Sequence, residues 1–132
     1  MNNNTAIKSH RDLIVWQRSM DLVIAVYELA DLFPKSEMYG LTIQMRRAAV
    51  SIPSNIAEGR RRSSRKDFRH FLLNSFGSGA ELETQVEIAR RLPFGKKLDY
   101  VQVNTLLTEV MRMLNRLIFS LQPTSKFPTT SL

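Results

Sequence analysis

Cysteine is missing altogether from the 132 residues, so no disulfide framework and no thiol chemistry is possible. Histidine is nearly as scarce, with only His10 and His70. Glycine and proline number five each and fall mostly at plausible element boundaries. No Asn-Gly or Asp-Gly dipeptide offers a hairpin turn, and no long stretch alternates polar with apolar residues. These absences argue against a β-rich fold. Nor does any apolar run approach a membrane span; the longest, residues 22–27, is closed off by Asp21 and Glu28. The first residues lack the apolar core of a signal peptide. The chain therefore reads as a soluble, cytoplasmic protein with no membrane partner.

What the sequence does have is concentrated positive charge. The stretch from Arg46 to His70 holds Arg46, Arg47, Arg60, Arg61, Arg62, Arg65, Lys66 and Arg69 against only Glu58 and Asp67, and so carries six of the seven net charges. An uncharged segment with Pro53 at its middle separates the two basic halves. Localised Lys and Arg form the electrostatic footprint of a nucleic-acid binder. The same cluster also suits a solvated helix–loop–helix corner that keeps an apolar bundle in solution. Charge alone leaves both readings open.

The size fits one domain able to bury its own core, placed at residues 12–121, with flexible ends at 1–11 and 122–132. Asp12 is the expected N-cap of the first helix. Leu13, Trp16, Met20, Val23, Tyr27 and Ala30 recur at helical spacing as its seam. A second stripe, Val15, Leu22, Val26, Leu29 and Phe33, implies burial on two sides. Pro34 ends the helix. The second helix starts at Ser36–Glu37, buries Leu41, Met45, Ala48, Ile52 and Ile56, is kinked or briefly broken near Pro53, and stops at Gly59. Ser64 and Asp67 resemble an acidic capping box for the third helix, whose face is Phe68, Leu72, Ser75, Gly79, Leu82, Val86 and Ala89. Its glycines, 77 and 79, lower helix propensity by about 1 kcal/mol each, so a close helix–helix approach is expected there. The fourth helix starts near Leu98 or Asp99, with a seam of Val103, Leu107, Val110, Leu114, Leu117 and Leu121, and ends at Pro123. Four such segments on short connections make an all-α, antiparallel up-and-down four-helix bundle.

Catalytic groups are thin, and the chain reads as a non-enzyme. Asp67 and His70 have the spacing used by di-iron bundles, but such sites need two copies plus further carboxylates, and cations surround this one. Glu81, Glu83 and Glu87 read as surface. No metal, cofactor, nucleotide loop or Ser-His-Asp arrangement is expected. Trp16 fits the core better than a stacking role. Tyr39 and Phe68 are candidates for stacking on bases, although Phe68 also suits the core. Asn55 and Glu58 read chiefly as a satisfied bundle corner, with Glu58 able to pair with Arg61, Arg62 or a neighbouring subunit.

Residues 12–22 (DLIVWQRSMDL), residues 27–62 with their core LTIQMRRAAVSIPSNIAEG, and GSGAELETQ at 77–85 resemble the four-helix-bundle proteins encoded in intervening sequences of bacterial 23S rRNA genes, over residues 12–121. The accessory protein of diversity-generating retroelements shares that fold class. The matching motif positions are Arg46, Arg47, Ser51, Pro53, Asn55, Glu58 and Gly59, then Gly77, Ser78 and Glu81. Phe76 departs from the family pattern, where arginine is expected. The resemblance implies a homopentameric ring of bundles with a basic surface for nucleic acid, and no catalytic residues. In the retroelement branch the partner is a reverse transcriptase.

Two functions follow. One is an oligomeric nucleic-acid-binding protein whose phosphate contacts are Arg60, Arg61, Arg62, Arg65, Lys66 and Arg69, with Arg46 and Arg47 further candidates, and which has little sequence specificity. The other is a structural or adaptor bundle whose basic face docks a protein partner such as a reverse transcriptase.

Overall fold

The computed structural model describes residues 7–123. The flexible ends expected at 1–11 and 122–132 lie largely outside that range. Four helices make up the architecture: α1 (Ile14–Ala30), α2 (Ile43–Arg60), α3 (Arg65–Arg91) and α4 (Val101–Ser120), with no strand among the described residues. They form an all-α four-helix bundle in which α2 lies between α1 and α3, and α4 closes the ring against both. Ser51 meets Ser78, Ile52 meets Ser75, and Gly59 meets Phe71. Numbering therefore rises along α2 as it falls along α3. Among the described residues no helix is long and apolar enough to cross a membrane.

The core is built from the expected faces of α2 and α3, and α1 presents the surprise. Its buried residues are Val15, Ser19, Leu22, Ala25, Val26, Leu29 and Ala30, so the second stripe is the intrachain seam. Met20 and Tyr27, read as seam, are each 39% exposed. Ser19 explains the misassignment. Its hydroxyl donates to the Trp16 carbonyl at 2.8 Å, which makes a polar residue acceptable at a fully buried position. On α4, Ile118 is buried while Leu117 and Leu121 are only partly so.

α1 ends at Ala30, short of the expected stop at Pro34, with i→i+3 turns filling Asp31–Phe33, and regular α2 begins later than expected. A 3₁₀ turn at Lys35–Glu37 and a wide π-type turn at Met38–Thr42 come first. From Ile43 the helix runs through buried Pro53 to Arg60 without interruption, so no break occurs near Ser51. α2 does end next to Gly59, at Arg60, but Gly59 is not a left-handed cap. It is buried in the last turn, and a Cβ there would lie 2.6 Å from the Phe71 Cβ. The Ser64 hydroxyl accepts from the Asp67 amide at 3.0 Å and caps α3 as expected.

At the far end of the bundle Phe33 and Phe94 meet edge to face, and the Tyr100 hydroxyl donates to the Gly95 carbonyl at 2.8 Å. Burial pushes the Tyr100 phenol above its ordinary value, with Arg90 opposing it. The folded chain thus holds that proton more tightly than the unfolded chain. The contribution is complete below the unfolded pKa and disappears as pH rises through the folded one. The stability advantage of wild type over Tyr100→Phe, about 1 kcal/mol at neutral pH, should shrink above about pH 10 in thermal unfolding scans. An advantage that stays constant with pH would contradict this.

Candidate nucleic-acid interface

The basic stretch is contiguous in sequence but divided in space. Arg47 and Arg60 are separated along α2 by roughly 20 Å at the helical rise. Arg46 and Arg47 lie near the start of α2, towards the opposite end of the bundle, where Arg46 reaches Asp31 at the close of α1. The other six cations sit at one end, where the close of α2, the start of α3 and the close of α4 converge.

Different partners hold these cations. Arg46 pairs with Asp31 at 2.8 Å and stacks over the Tyr27 ring at 4.8 Å; its Nε is buried without a partner among the described residues. Neither Glu58, which is taken by Arg62, nor Glu81 lies at ion-pair distance from it. Arg62 pairs with Glu58 at 2.7 Å and lies over Phe71. Arg60 donates to the Ile7 carbonyl at 3.1 Å. Arg65 donates through Nη2 to the Ser120 carbonyl at 3.1 Å, and Arg69 through Nε to the Ile118 carbonyl at 3.2 Å. Those two side chains bond carbonyls in the last turn of α4, that of Ile118 shared with the Leu121 amide, and oppose the helix's negative dipole end. Neither bond is to a carboxylate. The side chains of Arg47, Arg61 and Lys66 make no hydrogen bond or ion pair among the described residues. At the bundle end, then, Arg60, Arg61, Arg65, Lys66 and Arg69 face no carboxylate at ion-pair distance within that set.

The leader adds to this end. Ser9 and Asp12 form a capping box around a 3₁₀ turn at His10–Asp12, so Asp12 does not cap α1. That place falls to Leu13, which makes no side-chain cap bond. His10 packs edge-on against half-buried Trp16 at 5.0 Å, and Arg11 lies 5.7 Å from the same ring. The Asp12 carboxyl accepts from the Lys8 and Ser9 amides and titrates below its usual range, helped by the charges of Lys8 and Arg60. Lys8 and Arg11 thereby join the basic end. A frayed-leader reading hides them, although Ser9-x-x-Asp12 is itself a visible cap signal.

The motif residues between the basic patches serve packing. The Ser51 and Ser78 hydroxyls bond at 2.8 Å across α2 and α3, and Asn55 Nδ2 donates to both the Ser51 carbonyl and hydroxyl at 2.9 and 3.0 Å. Phe76 is half-buried against the core, as is Phe68. Tyr39 is 86% exposed but sits before α2, at the opposite end of the bundle from the main cluster. No group of three or more acidic or histidine side chains suited to a metal occurs among the described residues.

No curated protein matches the chain. The model of the 23S rRNA-intervening sequence protein family does match, over residues 11–116. That match takes in α1, α2, α3 and most of α4, including the Ser51–Ser78 seam, and the fold is the all-α bundle the motif implies. The chain belongs to the 23S rRNA-intervening sequence protein family.

Proposed function

We propose that the protein is a non-enzymatic, oligomeric nucleic-acid-binding protein that grips phosphates with little regard to base sequence. The observation carrying this reading is the bundle end, where Arg60, Arg61, Arg65, Lys66 and Arg69 stand without a paired carboxylate among the described residues. Arg46 and Arg62 are engaged by Asp31 and Glu58 and contribute less; Arg47 adds a separate contact on the bundle's side. Unpaired cations favour a polyanion through counterion release, which also makes binding salt-dependent. Oligomer formation is supported by α1, whose outward residues Met20, Ile24 and Tyr27 leave an apolar strip half exposed. A ring of five would repeat the basic end five times.

The exposed apolar residues Met38, Tyr39 and Leu32 at the other end favour a second reading, an adaptor that docks a protein such as a reverse transcriptase. Titration against structured RNA and duplex DNA at several salt concentrations, with light scattering on the same samples, separates the two. The first reading expects an oligomer whose affinity falls steeply with salt for both nucleic acids. A concentration-independent monomer, or no binding at low salt, would contradict it and favour the adaptor.

A further inference from the structure

Between the start of α3 and the end of α4 lies a groove of about 570 Å³, within the volume range of small-ligand sites. Arg65, Lys66, Arg69 and His70 line it together with Leu73 and Leu121. Its two characters differ sharply: three cations and His70 from the first turns of α3, and apolar side chains from α3 and the close of α4. Leu73 is 43% exposed and does not belong to the core cluster.

We infer that this groove seats one unpaired nucleotide of a bound strand, its phosphate on the cations and its base against the apolar residues. The inference rests on the phosphate-binding reading above and narrows it. A duplex keeps its bases stacked inside and offers protein only backbone and groove edges, whereas loops and bulges present bases that can be splayed out against apolar surface or guanidinium planes. A purely phosphate-tracking surface has no use for Leu73 and Leu121 in a concave wall. Arg65 and Arg69 are also pre-positioned. Each uses one donor on an α4 carbonyl, and a guanidinium has five, so donors remain for a phosphate while the side chain is held. Those same two bonds offset the negative end of α4, which would otherwise repel an anion in the groove.

The test uses the full chain and two RNAs of equal length and charge, one a perfect duplex and one with an unpaired loop carrying 2-aminopurine. Wild type should prefer the looped RNA by about fivefold, the worth of one partly buried leucine contact, and should change the 2-aminopurine emission on binding. Leu73→Gln, which alters no charge and no core contact, should lose both the preference and the emission change while keeping duplex affinity. Lys66→Gln should weaken both RNAs alike. Equal wild-type affinities for the two RNAs, or a Leu73→Gln variant that weakens both equally, would overturn the groove inference and leave phosphate binding standing. Failure of wild type to bind either RNA at low salt would sink both readings. A glutamate-rich peptide that displaces the looped RNA from wild type but not from Leu73→Gln, and itself binds more tightly, would reassign the groove to a protein partner.

Discussion

Gly59→Ala is expected to destabilise the bundle by about 2 kcal/mol, while Gly77→Ala is expected to stabilise it by about 1 kcal/mol. Both glycines are helical, Gly77 in the middle of α3 and Gly59 in the last turn of α2, so both substitutions gain helix propensity, the first more than the second. What differs is the space around the new methyl group. At 59 it would lie 2.6 Å from the Phe71 Cβ, 3.1 Å from Phe68 Cδ1 and 3.3 Å from the Phe68 carbonyl. A Cβ and a carbonyl move only with their backbone, so α2 and α3 must separate, and the loss of packing outweighs the propensity gain. At 77 nothing among the described residues lies within 4 Å, and propensity acts alone. Gly79→Ala falls between them, because its obstacle is the Met111 thioether, a flexible side chain able to turn aside. Urea unfolding of the three variants gives the order directly. Loss of stability at 77 comparable to that at 59 would contradict this packing account.

The second large effect concerns which arginines matter. Two double variants, Arg61→Gln/Lys66→Gln and Arg46→Gln/Arg62→Gln, remove the same charge. In the first pair the cations have no partner among the described residues, so their loss removes phosphate contacts and leaves stability unchanged. In the second pair the cations are already held by Asp31 and Glu58. Those bridges join partly exposed side chains, and their loss should lower stability by no more than about 1 kcal/mol each. Nucleic-acid affinity should fall well over tenfold for the first variant and only slightly for the second, by analogy with the loss of two phosphate contacts at moderate salt. Gel-shift or anisotropy titrations read the affinity, and thermal melts of the same samples read the stability.

The sequence carries the parts of this fold that depend on local or periodic signals. The faces of α2 and α3 and the Ser64 cap are legible, because each depends on spacing within a few residues. The seam of α1 is not. Both of its stripes are apolar, and the deciding residue, Ser19, looks polar until its hydroxyl bond to Trp16 is known. Gly59 reads as a C-terminal cap because the approach of Phe71 from α3 is a tertiary fact. The basic cluster is legible as charge but not as chemistry. Arg46 finds Asp31 fifteen residues away, and Arg65 finds a carbonyl fifty-five residues away. Only the folded chain separates cations that hold the frame from cations left free. The groove is hidden for the same reason, since Leu121 joins Arg65 and Leu73 only once α4 has packed against α3.

The most direct test of this account is the dependence of the RNA binding constant on salt for wild type and for both double variants. Each lost phosphate contact should lower the slope of log affinity against log salt by about one. The account predicts a slope shallower by about two for Arg61→Gln/Lys66→Gln and an unchanged slope for Arg46→Gln/Arg62→Gln. Equal slopes for the two variants would show that total charge, not the free cations of the bundle end, governs binding, and would contradict the account.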